Sequence, residues 1–370
     1  MTDWSSLVVP GVRDIEPLDV EATVAAVRAL GRREQSAKLD WNENLFGPLP
    51  GVLDAVAQEL ANVSLYPIAL YDEFRTEVAS HIGTDAARVV PAHGMQSLIG
   101  TVASAFLRPG DDVVVPAVTF YLYRLVCAAR GAAVHTAPMR GYELDLQALL
   151  AKADEVDAKL VWICDPNNPT ATVLATPEWE AFVSALPEGC VAVVDEAYAD
   201  FLPPETRALR ERDVEKGRRV VLLRSFSKLY GLAGLRLGYA VVDEPVAWAL
   251  AVLEEPFNVN GPALAAGIAS LRASDAAAAR RAEVAGAREL LVQGLHEAGA
   301  EPLPSPVGFV LARVDVDDVE LTGVLGDAGV LVRSGTELGL PGHVRIAVGP
   351  PAATQRLTAA LDRALRALRG

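Results

Sequence analysis

Cysteine is scarce in this 370-residue chain: Cys127, Cys164 and Cys190 are odd in number and far apart. No CxxC pair occurs, so neither a disulfide framework nor a zinc site is indicated, and each cysteine is expected in the core. No apolar run reaches the ~18 residues that a membrane helix needs. The first residues, Met1-Thr2-Asp3-Trp4, lack a basic and then apolar signal segment, so a cytoplasmic protein is expected. Positive charge is in deficit. Lys and Arg number 33 against 48 Asp and Glu, a net charge of −15, which disfavours nucleic acid and anionic membranes as partners. Internal repeats and low-complexity linkers are missing too. What is abundant is apolar residue, 51%, enough for a large core and, at this length, for two domains.

The most informative stretch is Arg224-Ser225-Phe226-Ser227-Lys228-Leu229-Tyr230-Gly231 through Gly234-Leu235-Arg236-Leu237-Gly238-Tyr239, after the apolar run 219–223. Glycines let the backbone approach a ligand closely. Two hydroxyls and a guanidinium suit a phosphate. A lone lysine in an apolar, basic setting loses part of its preference for the charged form, and a neutral amine can form an imine. Phosphate and imine together point to pyridoxal 5′-phosphate (PLP), whose pyridinium nitrogen then needs a partner.

Other stretches punctuate the chain in a compatible order. Apolar strands are expected at 89–90, 112–116, 159–164 and 190–194, and again at 308–314, 330–333 and 344–349. Helices are expected at 19–30, 52–63, 73–82, 98–107, 262–297, 321–328 and 353–368, with a turn at Val9-Pro10-Gly11. Gly94 precedes a helix start, where free amides and the dipole favour phosphate. Asp195-Glu196-Ala197-Tyr198 closes a buried strand, the place where parallel sheets bind ligands; Asp195 serves there either as a helix cap or as a partner for a pyridine nitrogen. Asn168 is a turn asparagine or a donor to a phenolic oxygen. Arg345 lies in an apolar run, where an unpaired charge is costly, so it needs an ion pair or an anionic ligand. Tyr121 and Tyr123 read as core packing, at the end of a strand.

Taken together, Ser225-Phe226-Ser227-Lys228 to Gly238-Tyr239, Asn167-Asn168-Pro169-Thr170, Asp195-Glu196-Ala197-Tyr198 and Asn42-Glu43-Asn44 with Gly47-Pro48 resemble the class I/II aminotransferases, in the histidinol-phosphate aminotransferase branch. The resemblance runs from about residue 40 to residue 349. It implies the α/β fold of the aspartate aminotransferase type. A large PLP-binding domain with a mostly parallel seven-stranded sheet would span 45–262, and a smaller α+β domain would combine 1–44 with 263–370.

It also implies roles. Lys228 would carry PLP, Asp195 would face the ring nitrogen and Tyr198 and Asn168 the ring oxygen. Phe120 would stack on the ring. The phosphate would rest on Gly94, the amides of Met95 and Gln96, Ser225, Ser227 and Arg236. Asn44, Arg333 and Arg345 would bind substrate, and Tyr66 would reach the partner's phosphate across a homodimer interface. The expected substrates are histidinol phosphate or a related aromatic amino acid, with a keto acid such as 2-oxoglutarate as acceptor. Two departures stand out: Met95-Gln96-Ser97 replaces an acidic pair, and Ala171 stands where the branch has glycine, implying a slightly different turn. Decarboxylation of the threonine-phosphate type, or a PLP-binding sensor module, is the alternative on the same scaffold.

Overall fold

The computed structural model describes residues 8–13 and 36–370. Seven strands build the main sheet: β1 (Val89–Ala92), β2 (Asp112–Pro116), β3 (Ala133–Ala137), β4 (Leu160–Cys164), β5 (Val191–Asp195), β6 (Val220–Ser225) and β7 (Gly238–Val241). They lie in the order β1-β7-β6-β5-β4-β2-β3, and only β7 runs antiparallel to its neighbours. This is the α/β, mostly parallel arrangement expected from the sequence. Helices cover both faces, which is why the central strands read as unbroken apolar runs. Alternate residues serve opposite faces: Val161, Ile163, Ala192, Val194 and Leu222 enter one core, whereas Leu160, Trp162, Val191, Val193 and Leu223 enter the other.

A four-stranded antiparallel sheet follows: β8 (Glu301–Pro302), β9 (Phe309–Arg313), β10 (Arg333–Ser334) and β11 (His343–Ala347), ordered β8-β9-β11-β10. The helices Ser274–Glu297 and Pro351–Arg369 pack on it through Val284, Leu291, Leu295, Leu357, Leu361 and Leu365. Ala37–Lys38 pairs in parallel with Val330–Leu331, so the segment leading to residue 44 runs beside this second sheet.

Several boundaries differ from expectation. The helix expected over 19–30 lies outside the described residues. Pro10 opens a short helix, Pro10–Arg13, instead of a turn, since proline is at home in a first helical turn. The helix at 52 ends at Glu59 and tightens into a 3-10 turn, Leu60–Asn62. The alanine-rich stretch divides at Ala273 into Gly261–Arg272 and Ser274–Glu297. The strand expected over 330–333 is two short strands, one pairing with Ala37–Lys38 and one joining β11. None of the described helices is long and apolar enough to cross a membrane.

Candidate active site

Parallel strands β4, β5 and β6 end side by side, with Cys164 opposite Asp195 and Asp195 opposite Leu223. Their carboxyl ends therefore deliver Asn168, Asp195 and the Ser225–Lys228 loop to one edge, the usual ligand position of such a sheet. A cavity of about 790 Å³ opens there, and Lys228 and Asp195 both line it. Met95, Gln96, Phe120, Asn168, Tyr198, Ser225, Ser227, Arg236, Arg333 and Arg345 share the same cavity.

Lys228 Nζ donates to the carbonyl oxygens of Trp41 and Asn42, at 3.3 and 3.2 Å, and lies 5.5 Å from the Tyr198 ring centroid. Burial, then the nearby Arg345 charge, lowers the ammonium to about 8, against the pull of Glu43 and Asp195. Asp195 is buried and moves the other way. Desolvation raises it to about 6, while the Tyr123 hydroxyl, the Ala197 amide and the Lys228 charge oppose that rise. Its Oδ2 accepts from Tyr123 Oη at 2.5 Å and its Oδ1 from the Ala197 amide at 3.0 Å.

The cationic end is built on glycine. Gly94 has φ +75° and caps α1 (Met95–Phe106); a Cβ there would stand 2.6 Å from Arg236 Nη2. Gly238 in β7 lets that strand pass the Met95 amide nitrogen, which a Cβ would meet at 2.9 Å. The first-turn amides of Met95 and Gln96 have no partner within their helix, so Arg236, these amides and the hydroxyls of Ser225 and Ser227 form a cradle for an anion.

Two buried arginine contacts orient the opposite wall. Arg345 Nη1 donates to Asn168 Oδ1 and Nη2 to the Asp40 carbonyl, both at 2.6 Å. Its Nε is buried without a partner. Burial lowers this guanidinium to about 10. With Oδ1 engaged, the Asn168 amide nitrogen remains a donor. Asn42 Nδ2 likewise donates to the Tyr198 hydroxyl at 2.9 Å, leaving the phenolic proton available. Burial raises the Tyr198 phenol, so it stays a donor. Arg333 Nε pairs with Glu337 at 2.8 Å, and its guanidinium sits 5.4 Å from the Trp41 ring centroid.

Not every expected residue reaches the cavity wall. Asn44 is held away from it: its amide donates to the Leu229 carbonyl at 2.7 Å and its oxygen accepts from the Phe46 amide. Asn42 lines the cavity instead, in the left-handed backbone region that asparagine tolerates (φ 52°). Tyr66 lies outside the cavity and is 75% exposed. Ala171 sits in the left-handed backbone region (φ 60°), a strained conformation for a residue with a Cβ. Phe120 precedes α2 (Leu122–Ala129), whose first turn carries Tyr123; these aromatics open a helix and do not end a strand.

Below the cavity, Glu196 accepts from Arg210 and Arg224, each at 2.8 Å; Arg224 also reaches Glu211 and Arg210 reaches Asp165. Burial pushes the Glu196 carboxyl up, but Arg224 and then Arg210 outweigh it and hold it below its usual range.

Sequence comparison gives the class. The chain belongs to the class I and II aminotransferases, whose family model matches residues 34–363; it is a PLP-dependent transaminase acting between amino and keto-acid substrates. Within that class it groups with the histidinol-phosphate aminotransferase branch. The histidinol-phosphate aminotransferase of Symbiobacterium thermophilum is 37% identical over 330 residues, covering 89% of this chain and 90% of its own. A Sinorhizobium meliloti histidinol-phosphate aminotransferase solved with PLP superposes with a TM-score of 0.88 at 28% identity, over 97% of this chain and 98% of its own. The Thermus thermophilus aspartate aminotransferase solved with maleate shares the fold, with a TM-score of 0.80 at 24% identity and 97% and 99% coverage.

The residues fit PLP on their own geometry. A buried carboxylate, a lysine shifted toward its neutral form and a glycine-walled anion cradle share one cavity.

Proposed function

We propose that this transaminase takes histidinol phosphate or a related aromatic amino acid as donor and 2-oxoglutarate as acceptor, within histidine biosynthesis. The observation that carries the reading is charge. Beyond Arg236 in the phosphate cradle, three more guanidiniums line the cavity: Arg333, Arg345 and Arg124, the last donating to the Pro116 and Ala117 carbonyls. One anionic group of the substrate would meet Arg345, whose buried Nε has no acceptor among the described residues, and a second would meet Arg333. The names of the relatives agree with a phosphorylated donor.

Bound PLP supplies the electron sink that stabilises negative charge at the substrate's Cα. The chain's own groups do the rest. Lys228 holds the cofactor and then moves the Cα proton. Asp195 keeps a proton on the pyridine nitrogen. Asn168 and Tyr198 donate toward the ring oxygen, each fixed by a second residue. Phe120 covers a ring face, and Ser225, Ser227, Arg236 and the amides of Met95 and Gln96 hold the phosphate. Asn44 would act from behind the wall, steadying the Lys228 loop through Leu229.

The protein is proposed to work as a homodimer in which Tyr66 reaches the phosphate of the partner's site. Tyr66 stands among exposed Val63, Leu65 and Ile68, an apolar surface of the kind subunit interfaces cover.

The deciding experiment mixes purified holoprotein with single candidate donors and follows conversion of the PLP chromophore to that of pyridoxamine phosphate. Histidinol phosphate should convert it fastest. Conversion only by unphosphorylated aromatic amino acids would remove the phosphorylated donor, and release of CO2 without conversion would replace transamination by decarboxylation.

A further inference from the structure

Tyr123 is a fully buried phenol below the cavity. Its ring stacks on Trp162, with centroids 4.8 Å apart and planes 9° from parallel. Its hydroxyl donates to Asp195 Oδ2 at 2.5 Å, the short end of the range for a hydroxyl meeting a charged acceptor. The stack fixes where the phenol points, and the phenol fixes one carboxylate oxygen. The Ala197 amide fixes the other. Each oxygen keeps a lone pair, so the carboxylate can accept a further proton donor from the cavity side.

We propose that Tyr123 is a positioning residue for the cofactor ring: its donated hydrogen bond orients the Asp195 carboxylate and favours the charged form that holds a protonated pyridine nitrogen. The proposal rests on the PLP reading of the cavity. The same chain segment then supplies both ring contacts, Phe120 for the face and Tyr123, through Asp195, for the nitrogen edge.

The charged and titratable groups facing Asp195 are few. Lys228 from the loop after β6 favours its charge and Glu196 beside it opposes it; the neutral Tyr198 and Cys164 (the latter on β4) are raised by burial and by the Asp195 charge, and Cys164 also meets the Tyr123 hydroxyl. Burial and the Asp195 charge raise the Tyr123 phenol well above its ordinary range, so it donates throughout the working pH range. Burial is the main force neutralising Asp195, and Tyr123 leads the effects that resist it.

The test titrates apoprotein with PLP, following tryptophan fluorescence, at pH values from 5 to 8.5. Wild-type affinity should weaken on the acid side as Asp195 takes up its proton. Tyr123→Phe keeps the stacked ring and loses the donor. Its acid limb should move up by about one pH unit, weakening affinity about tenfold between the two limbs and leaving alkaline affinity nearly unchanged. Replacing Tyr123 by 3-fluorotyrosine strengthens the donor at almost constant volume and should move the limb the other way; it carries the test should the phenylalanine variant fold poorly. A loss of affinity by the same factor at every pH, with limbs that superpose, would mark a packing role and overturn the proposal. Failure of the wild-type protein to bind PLP at all would instead overturn the cofactor reading, and this proposal with it.

Discussion

Arg345 and Asn168 meet across the two sheets: the guanidinium on β11 donates at 2.6 Å to the amide oxygen in the turn after β4. One contact thus ties Arg345, on the second sheet, to the turn after β4 and sets the orientation of the Asn168 amide. Arg345→Lys keeps the charge but loses the fork that bonds Asn168 and the Asp40 carbonyl together. The KM for the amino donor should rise about 10- to 100-fold, as for loss of a charged hydrogen bond. Steady-state kinetics with varied donor check this.

The second prediction concerns pH. Burial and the Arg345 charge favour the neutral amine, bringing Lys228 to about 8. Neutral amine is the nucleophile, so the rate at which apoprotein captures PLP should climb about tenfold per pH unit below that value and level off above it. Arg345→Ala removes one of the charges that depress the amine and should move the midpoint upward. Stopped-flow absorbance measures both; a midpoint that stays put in Arg345→Ala would contradict the coupling.

Breaking the buried ion network should cost stability. Glu196→Ala leaves the Arg210 and Arg224 guanidiniums without their shared carboxylate, a loss of about 3–5 kcal/mol. Glu73→Ala deletes an exposed partner of Arg272 and should change stability by less than about 1 kcal/mol. Denaturant melts of the two apoproteins give the comparison.

Subunit sharing can be tested by mixing. Tyr66→Phe should weaken PLP binding about 10- to 100-fold, as for loss of a hydrogen bond to a phosphate. Lys228→Ala should be inactive. If Tyr66 serves the neighbouring site, a mixed dimer holds one site with both residues native, and equimolar refolding should restore about a quarter of all sites. No recovery would show that Tyr66 does not serve the partner's site.

Much of this was legible in the chain. The central strands β2, β4, β5 and β6 are nearly unbroken apolar runs because both faces are covered, and the chemistry-bearing residues follow their ends; β3 (Ala133–Ala137) and β7 (Gly238–Val241) carry no such run of Val, Leu and Ile. Tyr123 was not legible, since a tyrosine three residues after Phe120 reads as core and only its delivery from α2 beneath β5 reveals the carboxylate it touches. Asn42 and Asn44 are indistinguishable as letters; a left-handed backbone at Asn42 decides which one faces the cavity. Glu196 looked like part of a site motif, yet its partners Arg210 and Arg224 lie 14 and 28 residues on, one delivered by the helix Pro204–Glu215 and the other by β6.

The acceptors that hold the Lys228 amine are main-chain oxygens, those of Trp41 and Asn42. Alanine scanning leaves such oxygens in place, so point variants of this loop will understate its part in seating the lysine. Shortening the loop by one residue, or swapping an amide for an ester to weaken the carbonyl, reaches the contact that side-chain exchange misses.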